Sequence, residues 1–233
     1  MRDLLTIVIP CKNEGNNIYH TISSIASQDL IEGTRIIIAD ISDEFGSIHV
    51  LSQAVSNYRY KLNIEVIEGG YPAYGRYVGA KLVETPYVLF LDADIIFFDK
   101  KILIKTLEKT THLTSVKFTT DHGYNWIYNL FFNIQKMMRL FGSSFAIGGF
   151  QLFKTEIYKN TGGYNPEHVF AEDYYVSNKI HSKFFTLLNT KGVYTSSRRF
   201  RKKGLFYMIT LMFKCWMNRN DESFYRKSHG YWD

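Results

Sequence analysis

Two rhythms of apolar and polar positions alternate over the first hundred residues. Residues 4–9 form an apolar run, as expected for a strand covered on both faces. Asn16 then offers a helix cap, and Ile18, Ile22 and Ile25 follow on one helical face. Residues 35–38 are β-branched and end at Ala39-Asp40, and Ile48, Leu51 and Val55 return to helical spacing. Ile64 and Val66 alternate with polar neighbours, Val78 and Leu82 suit a helix, and residues 87–91 are a fourth apolar strand ending at Asp92-Ala93-Asp94. Strand and helix in strict alternation predict a parallel α/β sheet.

The second half is less regular. Ile102, Leu103 and Leu107 suit a helix, and Val116 with Phe118 a strand. Residues 126–141 are apolar on most faces, which predicts a buried or membrane-touching helix. Gly148-Gly149 precedes a strand-like run at 150–153, residues 161–164 read as a turn, 172–180 as a helix and 184–188 as a strand. No linker rich in Pro, Gly or Ser divides the chain. The expectation is one domain over 1–233, with lobes at 1–100 and 101–203 and an amphipathic segment at 204–233.

Composition narrows this reading. The 233 residues are 45% hydrophobic and 21% charged, with a formal net charge of +6, so the chain is globular and suits anionic partners. Two cysteines, Cys11 and Cys215, exclude a disulfide scaffold and fit a reducing compartment. The run at 4–9 is too short for a signal-peptide core, and no segment reaches the length of a spanning helix. The expected place is the cytoplasm. Residues 198–203 hold five basic residues in six and are followed at once by the apolar segment 205–217. As a solvated loop they would be unremarked, but a basic stretch beside an apolar helix also suits an anionic membrane surface. That adds a peripheral position on the cytoplasmic membrane face to the expectation. The cluster has no nucleic-acid recognition motif, so no nucleic acid is expected.

In open parallel sheets ligands bind beyond the carboxyl ends of the strands. Three of those ends carry polar residues here: Pro10-Cys11-Lys12-Asn13-Glu14, Asp40, and the Asp92/Asp94 pair. In an extended chain, residues two apart point the same way, so Asp92 and Asp94 can face one spot and share a hard divalent cation, Mn²⁺ or Mg²⁺.

At this point the chain resembles the family 2 glycosyltransferases, which have the GT-A fold. IVIPCKNEGNNI is similar to their opening strand and turn, and IIIADISD stands where they have a strand followed by D-D-G-S. EGGYPAYGRYVGAKLVETPYVLFLDADI resembles their G-x-x-x-A-R-N-x-G segment and metal-binding D-x-D strand. GGFQLFKTEIYKNTGGYNPEHVFAEDYYVSNKI is similar to the segment with their acceptor loop and E-D pair, and TSSRRFRKKG to a basic stretch that follows. The resemblance implies a Rossmann-like, mostly parallel mixed sheet flanked by helices, with nucleotide-binding and acceptor lobes. It implies an inverting, metal-dependent hexosyltransferase acting on a UDP-sugar and on a glycan or lipid-linked acceptor. Residue by residue, it implies that Pro10, Asn13 and Glu14 shape the nucleotide pocket and that Asp40 contacts the base. It further implies that Arg76 supports the diphosphate or the Asp cluster, that Arg198 contacts the diphosphate, that Asp92 contacts ribose or sugar, and that Asp94 ligates the metal with Asp92 beside it. Glu172 belongs to the donor site, and Asp173 is the general base. Ala39, Ile41, Gly75 and Tyr77 depart from the family pattern. A late histidine, His229, stands where some relatives complete a metal shell, although a free tail is the simpler expectation there. Two other readings fit parts of the pattern. A haloacid-dehalogenase-like phosphatase also uses D-x-D, but Ile95-Ile96 follow it here. A non-catalytic nucleotide-binding or membrane-surface protein would keep the fold without turnover.

Overall fold

The computed structural model describes residues 1–120 and 123–229. The parallel alternation opens the chain as the apolar pattern requires. β1 (Leu5–Cys11), α1 (Asn16–Ala26), β2 (Arg35–Asp40), α2 (Phe45–Tyr58), β3 (Asn63–Glu68), α3 (Pro72–Lys81) and β4 (Tyr87–Leu91) follow one another. Then come β5 (Ile96–Phe97), α4 (Ile102–Lys109), β6 (Leu113–Val116), α5 (Asn125–Leu140), β7 (Phe150–Lys154), α6 (Thr155–Asn160) and α7 (Glu172–Ser177). The chain closes with β8 (Phe185–Leu188), β9 (Val193–Tyr194), α8 (Arg198–Lys203), α9 (Leu205–Met217) and α10 (Glu222–Tyr225).

Seven strands form one mixed sheet in the order β3-β2-β1-β4-β7-β6-β8, and β5 pairs with β9 in a small second sheet. β3, β2, β1 and β4 are parallel, β7 runs antiparallel to both its neighbours, and β6 is parallel to β8. The continuous apolar strands are explained by the two cores that flank the sheet. Ile7, Ile9, Ile36, Ile38, Leu89 and Leu91 face one core, and the intervening Val8, Ile37, Val88 and Phe90 face the other. β3 is an edge strand, and its Val66 is exposed accordingly.

Helix α3 lies unusually close to the sheet because its inner face carries glycine. A Cβ at Gly79 would come within 2.4 Å of Val8 Cγ1. A Cβ at Gly75 would sit 3.1 Å from Pro10 Cβ and 3.3 Å from Ala39 Cβ. Two departures from the family pattern, Ala39 and Gly75, thus meet in space, and their small size brings Arg76 close to the strand ends.

The strand order places β1 at the switch point: β2 and β3 lie on one side, and β4 and the rest on the other. The carboxyl ends of β1, β2 and β4 share one edge. Because β7 is antiparallel to β4, with Phe150 opposite Leu91, the Gly148-Gly149 turn arrives at the same edge. Four expectations change in detail. The strand expected at Val116 and Phe118 ends at Val116, the helix from Glu172 ends at Ser177, and the basic run at 198–203 is a short helix. The fourth is the C-terminal segment. Tyr225 is completely buried in a third apolar cluster with Phe170, Tyr174 and Leu211. Its carbonyl accepts hydrogen bonds from the N–H groups of Val169 and Phe170, so the segment around α10 braces the loop that leads to Glu172-Asp173. Among the described residues no helix is long and apolar enough to cross a membrane.

Candidate active site

At the switch-point edge lies a cavity of about 750 Å³. Its centre is organised by Arg76 of α3, whose side chain is 3% exposed. One guanidinium nitrogen donates to Glu172 Oε1 and the other to Asp92 Oδ1 at 2.5 Å. The Gly148 carbonyl lies 3.4 Å from the second nitrogen, and the Tyr164 ring lies below the guanidinium at 5.4 Å. Burial works against the charge on Arg76, but Tyr164 and the three acids Asp92, Glu172 and Asp173 outweigh it and hold its pKa above the ordinary value. A single buried cation therefore clamps the end of β4 to the start of α7.

Asp173 sits beside this clamp. Its Oδ2 accepts from the Gly148 N–H at 2.6 Å and its Oδ1 from the Tyr174 N–H at 2.8 Å. Burial first, and then the neighbouring Glu172, push its carboxyl up to about 7, against the opposing pull of Arg76 and the two N–H donors. Ala171, the residue before α7, holds the left-handed conformation at φ 47°, and that turn sends Glu172 and Asp173 to the same region. Behind them Gln151 donates to the Ala146 carbonyl at 2.7 Å and to the Asp173 carbonyl at 3.1 Å, and accepts from the Tyr164 hydroxyl.

The other expected residues fall into two groups. Pro10, Glu14, Arg76, Asp92, Asp94, Glu172, Asp173 and Arg198 all line the cavity. Asp92 and Asp94 do so from a turn just past β4, not from the strand itself, and that turn is held by a Thr21 hydroxyl donating to the Ala93 carbonyl at 2.8 Å. Arg198 reaches back to Glu14 at 3.2 Å, joining the basic helix α8 to the end of β1. Asn13 and Asp40 are not among the lining residues. Asn13, at φ 50°, donates to Asp43 Oδ1 at 2.6 Å and accepts from the N–H groups of Asp43 and Glu44, so it shapes the turn after β2. Asp40 accepts from the Ser42 hydroxyl at 2.7 Å in the same turn. His229 packs against Phe224 and Phe170, with Nε2 2.8 Å from the Phe224 carbonyl, and is absent from the cavity lining. Both thiols line the cavity, but burial pushes Cys11 up and Cys215 up to about 12, so neither is an activated nucleophile.

Four groups of residues had no assigned role in the sequence reading. Gly148 is one: its N–H holds Asp173, and a Cβ there would lie 3.0 Å from Arg76 and 3.1 Å from Asp173. The glycine pair ahead of a strand was the available signal. Tyr164 and Gln151 had none. The fourth is the far half of the cavity, walled by Phe131 of α5, Phe145, and Met208, Leu211 and Met212 of α9. The cavity is thus charged at the strand ends and apolar beyond Asp173.

The donor set fits a divalent cation of the kind that completes its shell with phosphate. Five acidic side chains and three basic ones line the cavity, so an anionic diphosphate would meet an excess of negative charge without a cation. Among the described residues no cluster of three or more His, Cys, Asp or Glu forms a complete protein cage. Asp94 and Asp92, both on the cavity lining, suit the mode in which one or two carboxylates and a substrate phosphate share the ion.

The fold has clear counterparts. S. aureus TarS 1-349 in complex with UDP-GlcNAc superposes with a TM-score of 0.66 at 21% identity, over 83% of this chain and 58% of that one. The mannosyltransferase PcManGT from Pyrobaculum calidifontis in complex with GDP-Man and Mn²⁺ gives 0.68 at 15% identity, over 92% of this chain and 65% of that one. GalNAc-T7 with UDP, GalNAc and Mn²⁺ gives 0.58 at 16% identity, over 83% and 44%. This chain spans less than two thirds of each of those chains. The fold is GT-A. No curated relative matches the chain in sequence. The sequence profile described as Glycosyl transferase family 2 matches residues 6–162, more than half of the chain, which displaces the phosphatase alternative. A GT-A sheet in which the ends of β1 and β4 and the glycine turn meet at Arg76 and its acids thus carries that family's sequence, and this chain belongs to glycosyl transferase family 2.

Proposed function

We propose that the chain transfers a hexosyl group from a nucleoside diphosphate sugar to an acceptor hydroxyl with inversion, using Asp173 as general base. The observation that carries this reading is the place and chemistry of Asp173. It stands where the charged half of the cavity meets the apolar half, its pKa is pushed up to about 7, and two backbone N–H groups fix its orientation. A base is most effective when its pKa lies near the working pH.

The acceptor oxygen attacks the anomeric carbon as its proton passes to Asp173. The bond from that carbon to the diphosphate oxygen breaks, and its electron pair leaves with the nucleoside diphosphate. One base on the face opposite the leaving group gives inversion. Asp94, with Asp92, would hold a divalent cation, Mn²⁺ or Mg²⁺, which when bound supplies charge neutralisation for the leaving diphosphate. Arg76 keeps Asp92 and Glu172 in place and balances their charge, and Lys12 and Arg198 add positive charge at the donor end. UDP-sugars are the first donors to test, on the ground of the UDP-GlcNAc carried by the TarS structure; Asp40, held in the turn after β2 and off the cavity lining, is not assigned to the base.

The test compares wild type with Asp173→Asn. Transfer to acceptor should fall by about 10²–10⁴-fold, while thermal stabilisation by UDP with Mn²⁺ is retained. The product anomer, read by NMR, should be opposite to the donor's. Wild-type transfer in Asp173→Asn, or retained configuration, would overturn the reading.

A further inference from the structure

The two helices that wall the apolar half of the cavity also carry apolar residues outward. On α5, Trp126, Leu130, Met137 and Leu140 are exposed at spacings of four, seven and three residues, which is one helical stripe. Phe131 of the same helix faces the cavity. On α9, Phe206, Phe213 and Met217 are exposed at spacings of seven and four, again one stripe. Its Met208, Leu211 and Met212 face the cavity. The exposures are not marginal: Leu140 is 86% and Phe206 84% exposed. The helices are neighbours, since Leu205, Met208 and Met212 of α9 pack on the cluster that holds Ile127, Tyr128 and Phe131 of α5.

Each helix therefore carries apolar residues both toward the active site and toward the outside; on α5 the outward ones stand beside the exposed Asn129, Asn133 and Lys136. A soluble acceptor explains only the inner faces. The charge pattern says what covers the outer ones. α8, with five basic residues in six, leads directly into α9 and is tied to the active site by the Arg198–Glu14 pair. Basic residues beside an exposed apolar helix face are complementary to an anionic bilayer surface. No described helix is long enough to cross a bilayer, so the contact is interfacial.

The geometry points to an acceptor that is a membrane amphiphile. α5 and α9 lie on an anionic bilayer, and the acceptor enters between them, its hydroxyl at Asp173 and its apolar part against Phe131, Met208, Leu211 and Met212. This inference rests on the transferase reading for the hydroxyl, but the bilayer contact does not.

The test has two parts. The first is flotation of the purified full chain with phosphatidylcholine vesicles, with and without about 30% phosphatidylglycerol. Binding to the anionic vesicles should exceed binding to the neutral ones by at least about tenfold, since each basic residue near the surface adds roughly fivefold. The variant Phe206→Ser with Phe213→Ser, both on the outer face, should lose that binding while circular dichroism and melting temperature stay at wild-type values. The second part compares n-octyl and methyl glucosides, both below micelle concentration, as ligands in thermal stabilisation. The octyl compound should act at a concentration at least about tenfold lower, because each fully buried methylene adds about fourfold. Equal binding to both vesicle types, or no effect of the double variant, would overturn the bilayer contact. Equal potency of octyl and methyl glucosides would overturn the amphiphilic acceptor. If these fail while UDP with Mn²⁺ still stabilises the protein, the transferase reading stands and only this inference falls.

Discussion

Asp173→Asn should do opposite things to activity and to stability, and the stability effect has a definite pH signature. The carboxyl is held at about 7 in the folded chain, against 3.8 for an ordinary aspartate. Folding therefore binds a proton between those values, and stability is lost as the pH rises from 3.8 to about 7. At pH 8 the penalty is the whole shift, about three pH units or on the order of 4 kcal/mol; at pH 5 only about one unit of it is felt. Asparagine removes the charge at every pH. It also sets an amide N–H₂ against one of the two N–H donors that face Asp173, at a cost of about 1–3 kcal/mol. That cost does not change with pH, and the charge penalty does. The melting temperature of the variant minus that of wild type should thus rise by about 5–10 °C between pH 5 and pH 8, from roughly 3 kcal/mol at 2–4 °C per kcal/mol. The assay is thermal melting of both proteins across that range in one buffer series, alongside acceptor transfer at each pH. A gap that stays flat or shrinks with pH would refute the claim that Asp173 is a buried, poorly solvated base.

Two further substitutions probe the charge around Asp173, and a third the packing of α3 on the sheet. Glu172→Gln removes the negative neighbour, so the acid limb of the wild-type transfer profile, expected near pH 7, should move down by about one unit, measured as rate against pH. Arg76→Met leaves Asp92, Glu172 and Asp173 together without their cation, and should cost about 3–5 kcal/mol in urea unfolding while moving the acid limb upward. Gly79→Ala forces a methyl within 2.4 Å of Val8 Cγ1 and should cost about 1–3 kcal/mol through displacement of α3, seen as a lower urea midpoint with unchanged slope.

Much of this architecture was legible because it is written in period. The strands at β1, β2 and β4 are near-continuous apolar runs, and the two cores on either side of the sheet require that. Topology alone places their ends together, which is why the sequence marks Glu14, Asp92 and Asp94 as candidates. Asp173 and Arg76 needed the family resemblance, since an acid pair at a helix start is ordinary on the macrodipole argument. What stayed hidden depends on contacts between distant segments. Nothing local marks Gln151 or Tyr164 as supports for Asp173. The Gly148 N–H reaches Asp173 only because β7 runs antiparallel to β4. The cavity faces of α5 and α9 were hidden for another reason. Both helices carry apolar residues outward as well as inward, so periodicity alone could not say which of them lined the site. Asn13 and Asp40 show the converse: their side chains hold the turn after β2, a task their motif positions do not reveal.

The most direct test of the account is nucleotide release from a panel of nucleotide sugars, with Mn²⁺, Mg²⁺ or EDTA, in wild type and Asp94→Ala. The account predicts release from one donor class, present with the cation, abolished by EDTA and lost in Asp94→Ala. Absence of release from every donor, together with no thermal stabilisation by any nucleoside diphosphate with Mn²⁺, would contradict it.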